Sequence, residues 1–530
     1  MHFGMRQENI VRLFLCCLLS VLYFIVLYRT AWISDDAVIT LHTVHNLLKG
    51  YGPVFNIGER VQAYTHPVWF LLLSIVSFVT RDIFLSAFLL SFGVSLYVFW
   101  LFLTRFTRQY VNIIFGAFVF IGSKAFIDYS TSGLENPLTH LLLLLFVFYS
   151  FQENENPGDR LVRLYCLAAL LYLCRPDGII FVFLPLLLFS YRCLFHKEDR
   201  RILYQGIILA FTFVFVWTAF ALIYYGFPFP NTAYAKLMVD VPLWEKVLQG
   251  WNYIKFTFVY DSLTAYVIVI GFLYMLWSST LSRTFAAGFV LYICYLLSIG
   301  GDFMAGRFFT SPFLISSIFL ISIQFDYRYH FTYNSKRLVA LILLCFVFIS
   351  WSGVRGYWAS LVLAQKLDVH WQRYEKTYGG IADERGVYSS RNGLPLYWKR
   401  ESLYGIDLQE EYTGQIKFEV LCGPLGVFSF IYGPNTYTID MCGLADPLLA
   451  RLSPGTAYGW RIGHFHRRLP KGYDISTISE TNQITDPEIH AYYDTLRLIV
   501  RGPIFTRERM RAIIRMNFGL IPRIRHTNYE

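Results

Sequence analysis

Charge is scarce in this chain. Only 15% of its 530 residues are Asp, Glu, Lys or Arg, against roughly 25% in an average soluble domain. A deficit of this size over this length excludes an ordinary soluble enzyme and a charged disordered chain. Cysteine patterning is missing too. The nine cysteines include no CxxC and no histidine-spaced set, which excludes the common zinc and thiol-redox motifs. Seven lie in apolar runs, where Cys packs as a small hydrophobe. Cys422 and Cys442 fall in polar sequence and form a candidate disulfide for an exported domain. There is no P-loop, no GxSxG and no nucleic-acid-binding module.

Apolar runs fill the space that charge leaves. The chain is 55% hydrophobic and 19% aromatic, with a mean hydropathy of +0.44. Candidate spans are Ile10–Tyr28, Pro67–Thr80, Phe84–Leu103, Val111–Ser123, Leu138–Phe151, Leu161–Cys174, Ile179–Phe195, Ile202–Tyr224, Leu263–Trp277, Thr284–Ile299, Phe313–Ile323 and Leu338–Trp351. These predict a polytopic α-helical membrane protein of about 11 or 12 spans, the first a retained signal anchor. Basic clusters at Arg105/Arg108, Arg160/Arg163, Arg192–Arg201 and Arg328–Arg337 mark cytoplasmic loops. The net charge of +10 is thus first a topology signal.

After about residue 352 the long apolar runs become rare. Residues 353–530 read as a soluble C-terminal domain of mixed α/β type, outside the membrane, after a transmembrane domain of residues 1–352. "ERGVYSSRNGLPLYW" and "GPLGVFSFIYGPNTYTID" read as short strands between Gly/Pro turns. "TRERMRAIIRMNFG" reads as a helix capped by Thr506 and stopped at Asn517–Gly519. Its arginines, Arg507, Arg509, Arg511 and Arg515, read as a solvated or membrane-surface face.

Polar motifs gather at the outer ends of the spans. In the first outer loop, residues 30–66, Asp35 and Asp36 stand together just after hydrocarbon. Carboxylates there are costly to desolvate, so they need a partner or a task. One can take a proton from a hydroxyl, and the other can fix a hydrogen-bond network or, as Asp36, hold a divalent cation. The plain alternative is an N-cap pair for a helix Ala37–Leu48. Glu59 and Arg60 read as a surface ion pair. Tyr64, Thr65 and His66 stand at the mouth of the next span, where they can touch a sugar or phosphate. Glu135 opens a span, with a helix N-terminus as its simplest partner. Arg175 and Asp177 flank a proline as a local ion pair, and "GGDFMAGRFF" offers Asp302 and Arg307. Arginine forks suit phosphate oxygens, and Lys236 adds a point charge. Trp460, Arg461, His464 and His466 are candidates for sugar contacts, or else pack their domain. Acids at outer mouths, with no internal repeat, favour an enzyme over a transporter or flippase of lipid-linked sugars, which would place them near the midplane.

"DDAVITLHTVHNLLKGYGPVFNIGERVQAYTHPVW" resembles the first outer loop of GT-C membrane glycosyltransferases. The resemblance is nearest to the mycobacterial terminal arabinofuranosyltransferase family and its Gram-negative relatives. It continues through "TSGLEN", "CRPDG", "GGDFMAGRFF", "IDMCGLADPLLARL" and "WRIGHFHRRLPKGY". It implies a GT-C fold in the bacterial cytoplasmic (inner) membrane with the active site facing outside. It implies transfer of D-arabinofuranose from a polyprenyl phosphate to an acceptor hydroxyl, with a first-loop acid as base. Where Thr-Asn or Thr-Ser is expected, this chain has Thr65-His66. The acceptor stays open between arabinan, another glycan and a surface protein such as pilin. No cofactor is implied beyond a possible divalent cation at Asp36.

Overall fold

The computed structural model describes residues 2–107, 109–152, 157–195, 197–237, 239–321, 380–405, 412–421, 423–454, 462–479, 481–521 and 524. The expected span Leu338–Trp351, the 352/353 boundary, Cys422, Trp460 and Arg461 lie outside them. Helix dominates. Among the described residues, five helices are long and apolar enough to cross a bilayer: Asn9–Thr30, Ile83–Phe106, Pro176–Leu194, Arg200–Tyr224 and Thr280–Ile299. Leu243–Tyr260 and Ser262–Trp277 form a sixth candidate, bent by 110° at Asp261. Pro67–Thr80, Tyr110–Gly122, Asn136–Ser150 and Arg307–Ile321 are apolar but short. The hydrophobic window of Arg200–Tyr224 is only 11% buried, with Phe211, Phe215 and Val216 outward. Such a surface suits lipid and not water.

The chain forms two compact units interleaved along the sequence. The first comprises Met1–Ile33, Phe88–Phe211 and Leu243–Pro395. In it Ser262–Trp277 packs tightly on Thr310–Ile321. A Cβ on Gly271 would stand 2.8 Å from the Ser316 Cα, so only hydrogen fits there. The stretch read as strands, "ERGVYSSRNGLPLYW", is instead two helices, Glu384–Asn392 and Leu394–Lys399. Asp383 overrides the strand pattern by capping the first, accepting the Gly386 N–H at 3.1 Å.

The second unit comprises Ser34–Ala87, Thr212–Pro242 and Leu396–Glu530. Its strands, β1 (Lys417–Leu421) and β2 (Thr436–Asp440), pair in parallel from Lys417 opposite Thr436 to Leu421 opposite Asp440. The connection is the helix Leu425–Tyr432, so the first half of "GPLGVFSFIYGPNTYTID" is helical and the second half extended. Strand β2 is buried throughout. One core cluster joins Ile439, Leu448, Tyr493 and Ile513; another joins Ile39, Ala235, Leu425 and Ala445.

The last helix, Arg507–Asn517, starts where the sequence indicates, with Thr506 accepting the Arg509 N–H. Arg509 itself is fully buried, contrary to the solvated-face expectation. Its guanidinium donates to the carbonyls of Ile223 (2.8 Å), Tyr224 (2.9 Å), Ile499 (2.7 Å) and Ile504 (3.0 Å). Ile223 and Tyr224 end a membrane helix, where carbonyls lack intrahelical partners and carry partial negative charge.

Candidate active site

The acid pair opens the helix Asp35–Leu48. Ser34, not either acid, is its N-cap, its Oγ accepting the Ala37 N–H at 3.2 Å. That frees Asp35 for a different task. Its carboxylate accepts the N–H groups of Gly426 (3.2 Å) and Val427 (2.8 Å), the first turn of Leu425–Tyr432. The two helices approach closely. A Cβ on Gly426 would strike the Asp35 carbonyl and stand 2.7 Å from the Ile39 nitrogen. Burial pushes the Asp35 carboxyl up to about 7, against the two amides, and the neighbouring Asp36 raises it further. Asp36 is half-buried while Asp35 is only 8% exposed.

The rest of the first loop is tied into the same unit. His66 is buried at the start of Pro67–Thr80, its Nε2 2.9 Å from the Thr40 hydroxyl. Thr65 is half-buried, its hydroxyl 3.3 Å from His66 Nδ1. Tyr64 is buried, stacked on Phe70 with centroids 4.2 Å apart, its hydroxyl 2.9 Å from that of Tyr225. Glu59 and Arg60 do not pair. Glu59 is buried against Arg501 at 3.1 Å and receives the Tyr437 hydroxyl at 2.6 Å, while Arg60 donates to the Gly502 carbonyl. Adjacent residues in this extended segment point to opposite sides, which sends the two charges apart.

"IDMCGLADPLLARL" wraps around buried acids. Asp440 accepts the N–H groups of Cys442, Leu444 and Ala445. Asp446 accepts the Tyr473 hydroxyl and the Leu449 N–H, and burial followed by the charge of Glu59 pushes it up to about 8. Asn231 donates to the carbonyls of Gly443, Leu444 and Asp446. Arg467, from "RIGHFHRRLPKGY", donates to the carbonyls of Cys442 and Ala235. These motifs hold a backbone scaffold. His464 is half-buried, its Nδ1 3.4 Å from the Ile462 carbonyl. Lys236 follows Ala235, which packs in one cluster with Ile39 and Leu425. Lys236 is half-buried and makes no ion pair with a described residue.

The first unit brings together a second group. Glu135 precedes the helix Asn136–Ser150 without capping it. Its Oε1 instead meets Arg175 at 3.4 Å and Arg307 at 3.2 Å. Arg175 also grips Asp177 at 3.0 Å, as the local pair expected, and Tyr292 donates to Asp177 at 3.3 Å. Asp302 is buried and accepts the Phe303 N–H at 2.8 Å. Gly306, at φ 76°, supplies the left-handed turn that brings Arg307 back to Glu135. Both guanidinium groups are therefore already engaged by carboxylates.

Sequence reasoning passed over one network in this unit. Lys124 binds Asp128 and, at 3.2 Å, Asp383; Arg385 lies 3.6 Å from Asp128, and Tyr260 donates to Asp383. All four charged groups are mostly buried and balance one another. The Lys124–Asp128 spacing of four was a usable signal, masked by the apolar runs around it. Among the described residues, no group of three or more His, Cys, Asp or Glu side chains could hold a metal ion.

No family model matches the chain, and no solved structure matches it. Two characterised sequences do. A terminal β-(1→2)-arabinofuranosyltransferase of Corynebacterium glutamicum is 27% identical over 506 residues, covering 84% of this chain and 69% of that protein. One of Mycobacterium tuberculosis is 27% identical over 413 residues, covering 69% of this chain and 64% of that protein. The chain is similar to these terminal arabinofuranosyltransferases over most of its length. The matches span about two thirds of these relatives' lengths. This chain carries its acid pair on a helix docked against C-terminal sequence.

Proposed function

We propose that the protein transfers a sugar from a polyprenyl phosphate to an acceptor hydroxyl outside the membrane, with Asp36 as base. The names of its relatives suggest arabinofuranose as the sugar. The observation that carries the reading is the contrast within the acid pair. Asp35 spends both oxygens on buried amides, while Asp36 is half-exposed beside it. Asp35 then positions the helix, and Asp36 meets substrate.

In this mechanism Asp36 takes the acceptor hydroxyl proton as its oxygen attacks the anomeric carbon. The bond from that carbon to the phosphate oxygen breaks, and polyprenyl phosphate leaves with the electron pair. A phosphate needs little protonation to leave, so one acid suffices and the anomeric configuration inverts. General-base help of this kind is worth roughly 10²–10⁴-fold. Lys236 is the cation we assign to the departing phosphate, since it makes no ion pair with a described residue. Arg175 and Arg307 would have to surrender carboxylates to bind it, and we assign them to shaping the Glu135 corner. Thr65 and His464, both half-buried, are the proposed sugar contacts.

The test uses purified protein in nanodiscs with polyprenyl-phosphoryl arabinofuranose and a panel of hydroxyl acceptors, following loss of donor. Asp36→Asn should lower turnover at least 100-fold with folding intact. Asp35→Asn should lose much less. Collapse in Asp35→Asn alone would reverse the assignment, and retained configuration in the product would overturn the single displacement. Tight donor binding with no turnover on any acceptor would point to a lipid-sugar carrier.

A further inference from the structure

The final helix, Arg507–Asn517, is fastened by one of its faces to the end of a lipid-facing span. That face is a row of residues four apart: Arg509, Ile513 and Asn517. Arg509 donates to the Ile223 and Tyr224 carbonyls, and Asn517 Nδ2 donates to the Gly226 carbonyl at 2.8 Å. A Cβ on Gly226 would strike Ile499 and stand 3.4 Å from Ile513, so the chain leaving the span is pressed onto this helix. All of these residues belong to the second unit. The span they end, Arg200–Tyr224, turns Phe215, Phe220 and Ile223 outward. The helix therefore lies where hydrocarbon gives way to headgroups.

Two further rows face away from these contacts. An α-helix turns by roughly 100° per residue, so residues four apart stay on one side of it. Met510, Ile514 and the following Phe518 form an exposed apolar row directly beside the fastened one. Arg507, Arg511 and Arg515 form an exposed cationic row beyond it. Phe505, just before the helix, is 85% exposed and Phe518 is 79% exposed. Single exposed apolar side chains are ordinary, but these extend a continuous row. None of the three arginines pairs with a described carboxylate. Glu508, also exposed, is the one acid on the helix, so the outward face is net cationic. Fastened, apolar and cationic rows thus follow one another round the helix. A helix at the hydrocarbon boundary needs that order, with apolar side chains in the acyl edge and guanidinium groups extended on their stems to lipid phosphates.

We propose that this face is a docking surface for anionic phospholipid. The Met510, Ile514 and Phe518 row lies in the acyl boundary, and Arg507, Arg511 and Arg515 engage lipid phosphates. Charge complementarity and position select the occupant together. Cations alone would suit any polyanion, and an apolar row alone any hydrophobic partner, whereas a charged bilayer surface offers both at the end of a span. The contact holds the unit that carries the acid pair at the membrane surface, whichever reaction that pair performs.

Full-length protein in nanodiscs tests the surface. Ile514→Cys, in a background without the exposed thiols of Cys17 and Cys294, carries an environment-sensitive fluorophore, and that background alone sets the baseline. The discs are phosphatidylcholine brominated high on the acyl chain, with or without phosphatidylglycerol. Bromine should quench the fluorophore, more strongly with phosphatidylglycerol, and added salt should remove the gain. Arg507→Gln/Arg511→Gln/Arg515→Gln should abolish the gain, and its three sites are exposed, so folding should survive. In native mass spectrometry of unlabelled protein, each arginine lost should lower retained phosphatidylglycerol relative to phosphatidylcholine by up to about five-fold. Glu508→Gln should raise that ratio, and it decides the matter if the triple variant misfolds. No quenching in either disc means that the face meets water or protein, and it overturns the proposal. Quenching indifferent to both phosphatidylglycerol and the three arginines overturns the anionic docking.

Discussion

A carboxylate that accepts two buried N–H groups resists losing either, and Asp35 is so placed against Gly426 and Val427. An Asn there offers one acceptor oxygen and sets its NH₂ against the other amide. That mismatch costs about 1–3 kcal/mol. Ionisation works the other way. Burial raises the Asp35 carboxyl to about 7 in the folded protein, above the roughly 3.9 of an unfolded chain. The folded state thus binds the extra proton, and Asp35 withdraws stability as pH rises from about 4 through about 7. Asn at position 35 does not titrate. Asp35→Asn should therefore gain in stability relative to wild type as pH rises from 5 to 8. Asp446, raised to about 8 by burial and Glu59, bends the absolute curves the same way but cancels in the comparison. Chemical unfolding in detergent at the two pH values checks this, and an unchanged gap would show that Asp35 is ionised throughout. The adjacent acids were conspicuous in the sequence. That Asp35 docks a second helix was not, because its partners lie 391 and 392 residues away.

Helices follow local rules where caps are local and escape them where caps are remote. Thr506 and the stop after Asn517 are plain in the sequence, as is the 3.6-residue pattern they bound. Nothing local shows that Arg509 ends a membrane helix roughly 285 residues earlier. Nor does local pattern reveal that Asp383 starts a helix where β-branched and aromatic residues read as strand. Arg509→Met keeps much of the apolar stem but strands the Ile223 and Tyr224 carbonyls. It should cost about 1.5–3 kcal/mol, with Arg509→Lys falling between, as read from denaturant midpoints. Equal stability for Met and wild type would mean that water replaces the guanidinium. Gly426→Ala is the companion change. Its Cβ meets the Asp35 carbonyl and the Ile39 nitrogen, so the two helices must separate. Donor turnover should fall at least several-fold while the protein still folds, and full activity would uncouple the Asp35–Gly426 contact from catalysis.

Across the whole chain, composition announced a polytopic membrane protein because hydrocarbon admits few charges, and the structure's apolar helices agree. Two compact units were not legible. Each gathers segments far apart in sequence, the second joining residues 34–87, 212–242 and 396–530, and apolar runs carry no record of which others they join. Orientation rests on charge alone, and this gives the last prediction. Arg201 belongs to a basic cluster that the positive-inside rule assigns to the cytoplasm. Arg515 is exposed on the final helix, in the same unit as the acid pair. The proposed chemistry requires that unit to face outward, where the lipid-linked donor is presented. In a background without the exposed native thiols of Cys17 and Cys294, Arg515→Cys should react with a membrane-impermeant maleimide in intact spheroplasts. Arg201→Cys should react only after lysis. Both residues are surface-exposed, so accessibility after lysis serves as the internal control for folding. The reverse pattern would place the acid pair in the cytoplasm, where a donor would have to be soluble or inward-facing, and the outward transfer proposed above would fall with it.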